Sequence, residues 1–467
     1  MNEHLLFLKL ELMKIFMHSS KRWLGLSLVV ILSLLVGCKK DENVVTELPN
    51  TYTADVAVKW AEMTNYVAIH TISNTPTYTS RALGYIGLTM YESVQAGSGK
   101  HLSMAGQLND LKILPLVEPG KRYNWVICLN VSQAYIVKKL YPHASDFVKL
   151  KIDSLANEIL LEQSKLEKIE DVNRSVKFGE AIANVIYDWS LSDGGHEGYK
   201  RNFPVVIIPT TPGSWSPPVA GQVNSQLPLH PFWGENRTFL KLNGELNVPE
   251  IILYSTNPNS AYYAQFLEVY NVNNALTQEQ KEIAAWWGDD PSETFAPPGH
   301  SYNLATIAIK KAQPDIFKAA EAYARVGMSV ADAFINCWKC KYHYYAERPA
   351  SYVNKHIDPR WVQFWPEPPF PAFTSGHATQ SMASAIVLTS LFGENFKFVD
   401  NSHEGRPKNQ LRNVEYKNRS FNSFKESAEE SAYSRLLGGI HTRQDNEAGL
   451  KEGVKIGDNV NGLRWLK

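Results

Sequence analysis

Lys341 and Arg348 in KYHYYAERP, Ser375, Gly376 and His377 in TSGH, and Arg435, His441 and Asp445 in SRLLGGIHTRQD follow one another in the last third of the chain. They supply three cations, two histidines, a hydroxyl, a glycine amide and a carboxylate. Such a set can hold a tetrahedral oxyanion, phosphate or vanadate, and move protons at one of its oxygens. Lysine offers a compact charge and arginine a planar fork, which suit equatorial oxygens. A helix starting at Ser375 would add free N–H groups and partial positive charge. His377 at that terminus is a candidate acid–base group. Asp445 can accept the proton on one ring nitrogen of His441, aiming the other at a metal or phosphorus atom.

Spacing predicts how these groups are presented. Lys341 and Arg348 are seven residues apart. That is nearly two turns of an α-helix, so both cations would point the same way, with Pro349 ending the helix. His441 and Asp445 are four apart, hence neighbours on one helix face. Taken singly, each segment has an ordinary reading: a solvated basic helix end, a serine N-cap before a surface histidine, a helix-stabilising pair.

The elements that must position them are helical. Leu83, Ile86, Met90 and Val94 fall on one face, and Val172, Val176, Gly179, Ala183 and Ile186 form a second stripe. Residues 314–340 and 378–392 are rich in small residues, as tightly packed helices require. Val205 to Ile208 is the best strand candidate. Residues 192–260, with seven prolines from Pro204 to Pro231, and the polar residues 393–424 read as long irregular segments. The predicted fold class is all-α, with helical bundles (two four-helix-bundle-like cores) and long irregular loops.

Composition narrows the partners. The 467 residues carry no net formal charge and no basic run that could track a nucleic-acid backbone. Lys21-Arg22, the apolar stretch Leu24 to Val36 and Gly37-Cys38 describe an export signal over residues 1–38. Its end resembles a bacterial lipobox, which implies lipidation at Cys38 and an outer-membrane lipoprotein of a Gram-negative bacterium, facing the periplasm or the cell surface. A tether is expected over residues 39–52 and the helical domain over 53–467. No apolar stretch after residue 38 is long enough to cross a bilayer, so a multi-span lipid phosphatase is excluded. Cys128, Cys337 and Cys340 make an odd count, which is no disulfide framework. The CxxC at Cys337 and Cys340 reads as two small residues on a packed helix.

The patterns K-x6-RP, SGH and SR-x5-H-x3-D, in this order, match the signature shared by type 2 phosphatidic acid phosphatases and vanadium-dependent haloperoxidases. One position departs: Thr374 stands where proline usually precedes SGH. The resemblance implies two possible chemistries. In a phosphatase, His441 would attack phosphorus and His377 would protonate the leaving group. In a haloperoxidase, His441 would be the vanadium ligand. Lys341, Arg348, Arg435, Ser375 and the Gly376 amide would hold the vanadate oxygens, and His377 would help deprotonate hydrogen peroxide, which oxidises a halide to hypohalous acid.

The flanks lean to the peroxidase. Trp338 lies one turn before Lys341 and Phe370 seven residues before His377, where that branch has pocket walls. SGHAT, GIHTRQDNEAGL and SRALGYIGLTMYESVQA also resemble it. The pattern is similar to that of the bacterial iodoperoxidases, so iodide is the expected halide. His300, in a predicted loop after Trp286-Trp287, is read as structural. A surface lipoprotein that binds an oxyanion without turnover is the third class.

Overall fold

Alanine and glycine runs in the sequence become places where helix backbones touch. The computed structural model describes residues 52–218, 225–291 and 293–467. The expected export signal with Cys38, and residues 39–51 of the expected tether, lie outside the described residues.

The chain enters at Tyr52, whose carbonyl accepts from the Ile316 amide. Five helices follow: α1 (Asp55–Ile69), α2 (Pro76–Glu92), α3 (Trp125–Leu140), α4 (Asp146–Ser164) and α5 (Ile169–Ser190). After a long irregular stretch come α6 (Lys241–Gly244), α7 (Ala261–Asn274), α8 (Gln278–Trp286), α9 (Ala296–Ala312), α10 (Ile316–Tyr344), α11 (Pro349–His356) and α12 (Gly376–Phe392). A small antiparallel pair, β1 (Phe398–Asp400) and β2 (Arg419–Phe421), precedes α13 (Phe424–Leu437) and α14 (Arg443–Asn461). Among the described residues the fold is all-α apart from this two-stranded sheet, and none of their helices is long and apolar enough to cross a membrane.

Helix α10 is the axis. It packs on α2 on one side and on α12 and α14 on another, while α3 packs with α5 and α12 with α14. Its 29 residues start at an Asp315 cap that accepts from Lys318 N. Nearly all of them are buried. Such a helix can be apolar all round only with small residues facing its neighbours. A Cβ added at Gly327 would lie 2.3 Å from the Leu83 carbonyl, and one at Gly87 would lie 2.4 Å from the Tyr323 carbonyl. Leu83, Ile86 and Met90 of α2 are buried, as is Val94 just beyond its end; on α5 Val172, Gly179, Ala183 and Ile186 are buried, whereas Val176 of the expected stripe is only partly so. Cys337 and Cys340 are free and buried within α10, as read from the sequence.

Two expectations need correction. Val205 to Ile208 forms no strand: Pro204 and Pro209 bracket it, and Val205 and Ile207 are 85% and 94% exposed. Proline removes a ladder donor at each end, so the alternating residues have no sheet to join. The strands occur instead within the polar segment 393–424, where Phe398 pairs with Phe421 and both rings are buried.

Gly327→Ala and Gly87→Ala should each lower stability by about 1–3 kcal/mol, since the carbonyls they would strike are backbone and cannot rotate away. Thermal unfolding followed by circular dichroism tests this. Wild-type melting of both variants would show that α2 and α10 separate at no cost.

Candidate active site

Trp338 and Lys341 lie one turn apart on the buried C-terminal part of α10. Lys341 Nζ donates to the carbonyls of Pro371, Ala372 and Thr374 at 2.9, 2.8 and 2.6 Å. An ammonium has three N–H groups, so this ring of backbone oxygens holds it completely. Burial, then the neighbouring Arg348, pull the Lys341 pKa down from 10.5 to about 8.

Arg348 is not on the same helix as Lys341. Tyr345 ends α10 in the left-handed region (φ 49°), and Arg348 is the N-cap of α11 with Pro349 at its first position. Pro349 therefore opens a helix rather than closing one, because its missing N–H costs nothing there. The two cations still converge. Arg348 donates to Phe370 O at 3.0 and 3.1 Å, to Pro371 O at 3.3 Å and to Ile440 O at 2.9 Å. Burial lowers its pKa to about 10.

Ser375 is the N-cap of α12, as its sequence implies. A Cβ at Gly376 would meet only Cys337 Sγ and Trp338, both at 3.9 Å, which is ordinary contact. His377 Nε2 lies 2.8 Å from the Trp287 carbonyl; it donates there, and Nδ1 keeps the lone pair. Burial, then Arg435, push its pKa well below the ordinary histidine value.

His441 precedes α14 rather than lying on it. Thr442 is the N-cap, and Asp445 is its capping-box partner. One oxygen of Asp445, Oδ2, accepts from Thr442 N at 3.0 Å and from His441 Nδ1 at 3.1 Å. The pair thus meets by the side chain reaching back over the cap, not by a shared helix face. His441 Nε2 consequently carries a lone pair, and Arg348 Nη1 donates to it at 3.1 Å. Burial, then Arg348 and Lys341, hold His441 neutral, well below its usual pKa. Burial raises the Asp445 carboxyl to about 6.

Arg435, on α13, donates to Ser434 Oγ at 2.9 Å and Ala284 O at 2.8 Å. Burial lowers its pKa to about 10, against the pull of Asp290 and Asp289. Among the described residues Lys341, Arg348 and Arg435 form no ion pair, although each is at most 1% exposed. Buried charges are ordinarily paired, so three together suit an anionic ligand. The walls are aromatic. Trp338 and Phe370 have ring centroids 5.0 Å apart, and Lys341 and Arg348 each lie 5.1 Å from the Phe370 ring.

The sequence-predicted residues therefore come together. What sequence reading missed lies behind them: Asp289, Asp400 and His403 surround His300. His300 is itself in α9, not in a loop, and only 1% exposed. Partners 11 and 100 residues away leave no motif to find.

Residues 321–463 match the family of the VCPO second helical-bundle domain. Vanadium chloroperoxidase of Curvularia inaequalis is 26% identical over 275 residues, 47% of this chain and 44% of that protein. The match thus spans less than half the length of that curated relative. The solved structure of the first bacterial vanadium-dependent iodoperoxidase is 31% identical with a TM-score of 0.78, covering 90% of this chain and 99% of that one. A holo-type bacterial vanadium-dependent chloroperoxidase, 15% identical, gives a TM-score of 0.64 over 88% of this chain and 98% of that one, which shows the shared fold.

Lys341 supplies a pH test. Below about 8 it is charged with or without an anion; above, anion binding must take up a proton. Phosphate affinity measured by calorimetry should therefore weaken as pH rises through about 8, by up to about tenfold per unit. Lys341→Gln should lack that limb, while the ionisation of phosphate itself is common to both proteins. An identical pH dependence would place the Lys341 charge outside the site.

Proposed function

The chain belongs to the vanadium-dependent haloperoxidases, and on that premise we propose that it oxidises iodide with hydrogen peroxide, using vanadate held by His441. The observation that carries this reading is the trio of buried cations, none ion-paired among the described residues, around a neutral histidine lone pair. That donor set fits an oxyanion whose central atom accepts a nitrogen ligand. Vanadate, when bound, supplies the Lewis-acidic centre that makes hydrogen peroxide reactive towards a halide.

The residues divide the remaining work. Asp445 holds the Nδ1 proton of His441, so Nε2 is the nitrogen offered to vanadium. The Arg348 N–H that lies on this lone pair would turn to an oxyanion oxygen as the anion arrives. Lys341, with its donors already engaged, acts chiefly through its charge. Arg435, the Ser375 hydroxyl and the Gly376 amide at the α12 N-terminus would hold further oxygens. His377, with Nε2–H fixed on the Trp287 carbonyl, presents Nδ1 as the base that takes a proton from hydrogen peroxide.

Iodide is favoured on two grounds. The 31% identical relative is an iodoperoxidase. Trp338 and Phe370 also make an apolar rim, which suits the halide that sheds its water most readily. In this reading the chain is exported and anchored through Cys38, so the reaction takes place at the outer membrane.

Purified protein loaded with vanadate should oxidise iodide, and His441→Ala should lose vanadium on gel filtration, read by elemental analysis. Absence of peroxidase activity with vanadium bound, beside robust phosphomonoester hydrolysis by the vanadate-free protein, would make the site a phosphatase with His441 as nucleophile. Retention of stoichiometric vanadium by His441→Ala would overturn the ligand assignment.

A further inference from the structure

His300 lies one residue behind the site. Its Nδ1 is 2.7 Å from Asp289 Oδ2 and its Nε2 is 2.8 Å from Asp400 Oδ2. A neutral imidazole has one N–H and would set a lone pair against one of these carboxylates; only the imidazolium donates to both. All three side chains are buried. Asp400 is fixed further by Trp286 Nε1 at 3.2 Å and the Ser402 amide at 3.0 Å.

The His300 ring stacks on the Trp287 indole, with centroids 4.6 Å apart and planes 18° apart. A cation over an indole face is attracted by its quadrupole. At its other end the indole donates to Glu430 Oε1 at 2.9 Å. Trp287 is the C-cap of α8, so its carbonyl has no helical partner and is free to take the His377 Nε2 proton at 2.8 Å. The line runs from Asp400 and Asp289 through His300 and Trp287 to His377.

We propose that His300, clamped as an imidazolium between Asp289 and Asp400, is a positioning residue that fixes the tautomer and direction of His377 through Trp287. The proposal rests on the reading of His377 as the acid–base group. The charges that face each ring are few. His300 faces Asp289, Asp400 and His403, whose ring centroid is 5.4 Å away. His377 faces Arg435, Asp289, His300 and His441, with Asp290 beside Arg435. The two carboxylates raise the His300 pKa to about 10 against the cost of burial, in agreement with the geometry.

A rival use of the cluster is metal binding, since ligand atoms of Asp289, His300 and His403 lie within 4.8 Å of one another. Both His300 nitrogens are engaged by carboxylates at hydrogen-bond length, which leaves no lone pair for a cation.

The test uses full-length protein labelled with 15N-histidine, with ring signals assigned by comparing wild type with His300→Gln and Asp400→Asn. At pH 7.5 wild-type His300 should show two protonated nitrogens and His377 a single Nε2–H tautomer. In both variants His377 should become a mixture of tautomers. Iodide-oxidation kcat should fall about tenfold to a hundredfold, with vanadate retention within about twofold of wild type. Asp400→Asn keeps the ring and serves if His300→Gln does not fold. A neutral His300, a stoichiometric divalent metal in the cluster, or an unchanged His377 signal in both variants would overturn the proposal. If wild type fails to oxidise iodide, the functional reading fails, and the tautomer measurement still decides this one.

Discussion

Three cations held out of water, none in ion-pair contact with a carboxylate among the described residues, set the terms for the rest of this molecule. Placing even one ion in a low-dielectric interior costs several kcal/mol. Here the stand-in for a counter-charge is backbone: the carbonyls of Phe370, Pro371, Ala372 and Thr374 wrap Lys341 and half of Arg348. Those carbonyls can converge because the proline-rich approach to Ser375 forms no helix or strand that would claim them. Burial, reinforced by the same cations, keeps both histidines neutral, which is the state a ligand or a base must have.

Such a concentration of like charge needs a stiff frame. Helix α10 provides it, buried along its length and in backbone contact with α2. On the other side α12 and α14 approach closely, and a Cβ at Gly453 would lie 2.5 Å from the Thr379 carbonyl. The Ser375 amide donates to the Asp445 carbonyl at 3.0 Å, which ties the start of α12 to the start of α14. The two histidines thus ride on helix ends whose separation is a packing distance, not a loop conformation.

Much of this was legible in the chain. Ser375 before Gly376 reads as an N-cap and is one, because capping is decided within four residues. The small residues of 314–340 foretell α10. Local rules failed where the backbone turned between two residues treated as one helix. Lys341 and Arg348 straddle a left-handed Tyr345, and His441 stands outside the helix that carries Asp445. In both cases the side chains met anyway, by routes that spacing alone does not encode. His300 marks the other limit. Its meaning depends on Asp400, brought beside it by a two-stranded sheet inside a segment with no apolar periodicity.

The guarded lone pair of His441 has a further consequence for selectivity among the elements. Imidazole nitrogen normally favours divalent copper, nickel and zinc over most competitors. At this nitrogen such an ion would have to displace an arginine N–H and approach two further fixed positive charges at close range. The repulsion opposes free metal cations by sign, whatever their coordination preference. An element that travels as an oxyanion meets attraction there instead, so such a site would discriminate by the charge of the species delivered rather than by its affinity for histidine.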